Sequence, residues 1–132
     1  MARAGAGAAA GAGASGGIRL RRVYDPPEPG ADGVRVLVDR LWPRGLAKAA
    51  AGVDEWPKAV TPSGELRKWF HGGGGSAEEF RQRYEAELAE PEAAAEVERL
   101  RGLAAAGPVT LLTAVKDPAA SHAAILAEHL AP

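Results

Sequence analysis

The run Val109-Thr110-Leu111-Leu112-Thr113-Ala114-Val115 constrains this chain most. It is nearly continuous in apolar and β-branched residues, with no charged side chain. A strand with one wet face alternates polar and apolar residues, whereas a strand covered on both faces does not. The run therefore reads as a central strand, and the rest of the chain must supply a layer on each side of it.

Two earlier segments read as its neighbours. Ile18 to Tyr24 alternates, with Ile18, Leu20 and Tyr24 on one face and Arg19 and Arg21 on the other. Val34, Val36 and Val38, with Leu37 between them, form a second strand ending at Asp39. The loop between these two, with Pro26, Pro27, Pro29 and Gly30, is too short for a parallel crossover of about a dozen residues or more. Paired with each other, they would run antiparallel. The last strand is expected parallel to the second, across a helical connection. The expectation is an α/β fold with a short mixed sheet and flanking helices.

That connection begins irregularly, from Leu41 to Val60. Thr61-Pro62 then reads as a helix start, with Thr61 as N-cap and Pro62 in the first position. Leu66, Trp69 and Phe70 give that helix its buried face, and His71 with Gly72–Gly75 ends it. Ser76 and Glu79 match a capping box, followed by Phe80, Tyr84 and Leu88 at every fourth position. Pro91 opens a third helix with Val97, Leu100 and Ala104 inward. After the central strand, Asp117 is expected to cap a last helix with Pro118 in its first position and Ile125, Leu126 and Leu130 on its apolar face.

Composition narrows the function classes. The chain has 132 residues, net charge −1 and no cysteine, which excludes disulfides, thiolate nucleophiles and cysteine-held zinc. Residues 1–17 are almost entirely Ala and Gly and read as a flexible tail; residues 18–132 read as one domain. With no apolar segment long enough to span a bilayer and no signal-peptide core, a cytoplasmic protein without membrane contact is expected. Charge is uneven. Arg19 to Lys48 holds seven basic residues against four acidic ones, and Glu78 to Arg101 holds eight acids against four arginines. A basic first third therefore precedes an acidic helical middle.

Four blocks carry a resemblance. They are Arg22-Val23-Tyr24-Asp25, Val36-Leu37-Val38-Asp39-Arg40-Leu41-Trp42-Pro43-Arg44-Gly45, Pro62 through Phe70, and Lys116-Asp117 followed by His122-Ala123. In this order they resemble the bacterial YeaO-like family, also called domain of unknown function 488. The resemblance runs from Ile18 to the C-terminus. It implies a small α/β fold of Rossmann-like layering and brings no substrate, cofactor or reaction with it. Family members usually have Tyr where this chain has Thr113 and Asn where it has Ser121.

Ligands of such sheets bind outside the carboxyl ends of the strands. Two of those ends are rich in chemistry. Arg40, Arg44 and Arg67, with Ser63 near a helix start, are the residue types that hold phosphate or carboxylate. Asp39 and Trp42 lie in the same strand-end segment and join them as candidate ligand-binding residues. Pairing of the arginines with Asp39, Asp54, Glu55 and Glu65 is the competing reading. At the other end stand Lys116, Asp117 and His122, candidates for acid–base work. A helix N-terminus favours the neutral imidazole of His122, and Lys116 offers an amine. The competing reading makes Asp117 a cap and His122 a core histidine.

No metal site is predicted. His122 and His129 lack a third ligand, and Asp39 with Asp117 is a common strand-end arrangement. Gly72–Gly75 follows a helix and is no phosphate loop. The favoured function is an enzyme or sensor for an anionic small molecule. The alternatives are a nucleic-acid module using Arg19, Arg21, Arg35 and the tryptophans, and a protein-interaction domain docking through its acidic helices.

Overall fold

The computed structural model describes residues 18–131; the Ala/Gly-rich segment read as a tail lies outside the described residues. Strand β1 (Ile18–Arg22) is followed by the short helix α1 (Pro29–Asp32) and by β2 (Val34–Leu37). Helices α2 (Lys48–Ala51), α3 (Gly64–His71), α4 (Ala77–Leu88) and α5 (Pro91–Ala106) precede β3 (Val109–Thr113) and α6 (His122–Leu130).

β3 is the central strand, as its composition requires. The order is β1-β3-β2, and both neighbours run parallel to it. All five residues of β3 are buried. Leu111 and Leu112 point to opposite faces and are both fully covered, each worth about 1.5–3 kcal/mol of burial.

The three-stranded sheet is parallel, not mixed. β1 and β2 do not pair with each other, because β3 lies between them. Residues 23–33 form a crossover at the lower length limit for such a unit. It closes because α1 is a single turn and Gly33 follows it directly. Gly33 has φ +60°, and a Cβ there would stand 2.1 Å from the Pro108 carbonyl oxygen. Only glycine lets the chain pass this close to the strand it crosses.

One face of the sheet meets Tyr84, Leu88, Val97, Leu100, Leu126 and Leu130 of α4, α5 and α6. The other holds Val23, Leu37 and Leu112 against Trp42, Leu46, Val53 and Trp56 of the connection after β2. Three expectations need correction. Tyr24 is exposed, because β1 ends at Arg22 and Val23 takes the buried place. Ser63, not Thr61, caps α3 by accepting from the Leu66 N–H, while Thr61 turns inward to donate to the Lys58 carbonyl. Asp117 does not cap α6; it precedes a 3-10 turn over Pro118–Ala120 without a side-chain capping bond, and Ser121 caps α6.

The crossover is anchored by charge. Asp32 is fully buried and accepts from Arg19 at 2.9 Å, from Arg21 at 3.0 Å and from Arg35. It also accepts from the Glu28 N–H at 2.9 Å, while the Thr110 hydroxyl donates to its carbonyl at 2.8 Å. Burial works against ionisation, but the Glu28 N–H and the guanidinium groups of Arg35 and Arg21 hold this carboxyl below its usual range. Asp32→Ala leaves Arg35 buried without its counter-charge, and a loss of about 3–5 kcal/mol is expected in urea denaturation. A loss under about 1 kcal/mol would show that Asp32 does not anchor the crossover.

Candidate functional site

The C-terminal ends of β2 and β3 open into a cleft of about 750 Å³, a volume suited to a small organic ligand. Asp39, Arg40, Leu41, Trp42, Pro43 and Arg44 enter it from the end of β2. Ala114 and Val115 come from the end of β3, and Ser121, His122, Ile125 and Glu128 from the α6 side. Arg67, Phe70 and His71 of α3 and Ala77, Phe80 and Arg81 of α4 form the remaining wall.

Asp39 builds the floor. Its carboxylate accepts from the Thr113 hydroxyl at 2.7 Å and from the Ala114 N–H at 2.8 Å, and lies 3.0 Å from His122 Nε2. Its own carbonyl accepts from the Trp56 indole at 2.7 Å. One residue thereby joins the ends of two strands, the start of α6 and the connection after β2. Burial opposes ionisation of this carboxyl as well, but donation from His122, Ala114 and Thr113 holds it below the ordinary value.

His122 is at once packed and polar. Nε2 lies 3.0 Å from the Val38 carbonyl oxygen, and the ring meets Tyr84 edge-on at 6.2 Å between centroids. A carbonyl oxygen only accepts, so Nε2 carries the hydrogen and in the neutral ring Nδ1 keeps the lone pair. A carboxylate orienting an imidazole in this way supports proton transfer or a directed hydrogen bond.

The arginines have different surroundings. Arg40 donates to the Pro62 and Thr61 carbonyls at 3.1 and 3.3 Å, which fixes it without cancelling its charge. No carboxylate pairs with Arg40, Arg44 or Arg67 among the described residues. Arg81 is compensated by Glu128 at 2.8 Å and Glu85 at 3.4 Å. Trp42 lines the cleft with its indole N–H donated to the Leu46 carbonyl and its ring packed on Trp56.

Three candidates lie elsewhere. Ser63 spends its hydroxyl on Glu87 at 2.5 Å, outside the cleft. Lys116 and Asp117 are exposed and do not line it. The chain bends at residues 114–116 before the 3-10 turn, and neither residue joins His122 in lining the cleft.

With the fold and cleft in view, comparison with other proteins becomes informative. Residues 17–132 match the model of the DUF488-N3i family, described as the inactive DUF488-N3 subclade. The chain belongs to this family. It is 50% identical over 113 residues to the uncharacterised protein YeaO of Escherichia coli, covering 86% of this chain and 96% of that one. It is 45% identical over the same length to the uncharacterised protein Rv3073c of Mycobacterium tuberculosis, covering 86% and 92%. No solved structure matches it. The YeaO-like, domain of unknown function 488 resemblance read from the four sequence blocks agrees with this match.

Thr113 and Ser121, where the resemblance implies Tyr and Asn, both lie beside the site. Thr113 donates to Asp39, and Ser121 caps the helix that carries His122. Several lining residues escaped sequence reasoning. Phe70 and Phe80 have helical core spacing, and nothing local tells that the Gly72–Gly75 turn places both at a cleft. Trp69 packs so tightly on this turn that a Cβ at Gly75 would stand 2.4 Å from its ring. His71 and Arg81 had a weak signal, as polar neighbours of those aromatics.

Asp39→Asn tests the floor. With its folded pKa depressed, the wild-type carboxylate stabilises fully above the unfolded value of about 3.9 and loses that contribution as pH falls through the folded value. The variant is expected to be about 1–3 kcal/mol less stable at neutral pH. That gap should close below about pH 4, as read by denaturant titrations across pH. A gap that persists into acid would assign the cost to packing.

Proposed function

We propose that this domain binds an anionic small molecule, bearing phosphate or carboxylate, in the cleft at the strand ends, and acts by binding it. The observation that carries this reading is the set of three guanidinium groups, Arg40, Arg44 and Arg67, lining one concave site without a carboxylate partner among the described residues. Uncompensated cations in a cleft with low-dielectric walls focus a positive potential on its interior. Guanidinium groups match the oxygens of phosphate and carboxylate. We read the sheet, with its ligand site at the carboxyl ends, as Rossmann-like layering, and residues 18–132 as one binding domain.

The description of the family as inactive favours a binding or sensing role over turnover for this chain. His122, whose Nε2–H is held by Asp39 and the Val38 carbonyl, would then accept a hydrogen bond from a donor on the ligand through Nδ1. The nucleic-acid reading draws less support, because Arg19, Arg21 and Arg35 converge on Asp32. No helix among the described residues is long and apolar enough to cross a membrane.

A thermal-shift panel of nucleotides, sugar phosphates and carboxylates tests the proposal. A ligand at a hundred times its Kd adds about 2.7 kcal/mol, which is several degrees for a domain of this size. At least one anion should raise the midpoint, and Arg44→Ala and Arg67→Ala should abolish the shift while leaving the unligated midpoint in place. No shift with any anion would sink the reading.

A further inference from the structure

The cleft carries more than charge. Tyr24, Leu41 and Val115 are large apolar side chains left 41%, 62% and 41% exposed, and all three line it. Exposed apolar residues scattered singly need no explanation, but a group gathered in one concave site beside uncompensated cations does. The helical wall repeats the combination. On α3, Arg67, Phe70 and His71 fall at i, i+3 and i+4; on α4, Ala77, Phe80 and Arg81 do the same. On α3 the Arg67–Phe70 spacing puts a cation and a ring side by side on one helix face, while α4 adds the ring of Phe80 beside an Arg81 already paired with Glu128 and Glu85. The Phe70 and Phe80 centroids are 4.8 Å apart, so the two helices join their rings into one surface. Rings continue inward from there, Phe80 to Tyr84 at 6.0 Å and Tyr84 to His122 at 6.2 Å.

We propose that the occupant is a small organic anion built on a planar ring. Arg44 and Arg67 hold its phosphate or carboxylate, and Phe70 and Phe80 take its ring. The inference rests on the anion-binding reading and narrows the ligand class. An inorganic anion meets only the guanidinium groups and leaves the apolar wall wet. A sugar phosphate sets hydroxyls against that wall, where they lose water without gaining partners. A ring covers the wall and gains aromatic contact as well.

Matched anion pairs, titrated by calorimetry into the full chain, test this. Phenyl phosphate is set against glycerol 3-phosphate, benzoate against acetate, and adenosine 5′-monophosphate against ribose 5-phosphate. The ring-bearing member of at least one pair should bind at least about tenfold tighter, a difference of about 1.4 kcal/mol. Phe80→Leu, which keeps an apolar side chain at this half-buried position, should shrink that ratio. Arg44→Ala should weaken both members of a pair alike. Equal affinities within every pair would overturn the ring class and leave anion binding standing. Binding of neither member in any pair would overturn both.

Discussion

The carboxylate of Asp39 is the interaction on which the site depends. A parallel sheet ends abruptly at its carboxyl edge, where backbone N–H groups run out of ladder partners. Asp39 lies one residue past Val38 at that edge and takes the Ala114 N–H, the Thr113 hydroxyl and the His122 ring together. The cost of desolvating a carboxylate is met by three donors from two other elements. The same contacts fix where β3 stops, where α6 begins and which nitrogen of His122 carries a hydrogen. The cleft inherits its floor from this arrangement.

Arginines in this chain divide into two populations that the near-zero net charge conceals. Arg19, Arg21 and Arg35 belong to the short crossover and surround one buried carboxylate, Asp32. Their charge is spent on holding the single-turn helix α1 between strands that cross over a neighbour. Arg40, Arg44 and Arg67 gather at the opposite, carboxyl end of the strands without such a partner among the described residues. Identical side chains thus do structural work at one end of the sheet and line a cleft at the other.

The Asp39–His122 pair has the geometry that enzymes use to hold an imidazole ready for a proton. Here both groups are also committed to the main chain, Nε2 to the Val38 carbonyl and the carboxylate to the Ala114 N–H. Such a pair can hold a ligand donor while it ties the strand ends together. Lys116 and Asp117, which would have extended it toward acid–base chemistry, are exposed outside the cleft.

Much of this was legible in the sequence, for local reasons. Helix faces repeat every three to four residues, and a strand covered on both sides cannot alternate, so the four longer helices and the central place of Val109–Thr113 follow from the residue pattern, while the single-turn helices α1 and α2 do not. That the strand-end segment Asp39–Arg44 would line a cleft was legible because concave sites of such sheets form at the carboxyl ends of the strands. The parallel run of β3 beside β2 was legible too, but the direction and place of β1 were not. Whether residues 23–33 fold back or cross over depends on Gly33 passing the Pro108 carbonyl, a contact between segments distant in sequence. Nor could local reading separate Arg35 from Arg67, or Phe80 at the cleft from Val97 in the core. Each pair shares residue chemistry and differs only in which distant element closes over it, and that is decided by tertiary packing.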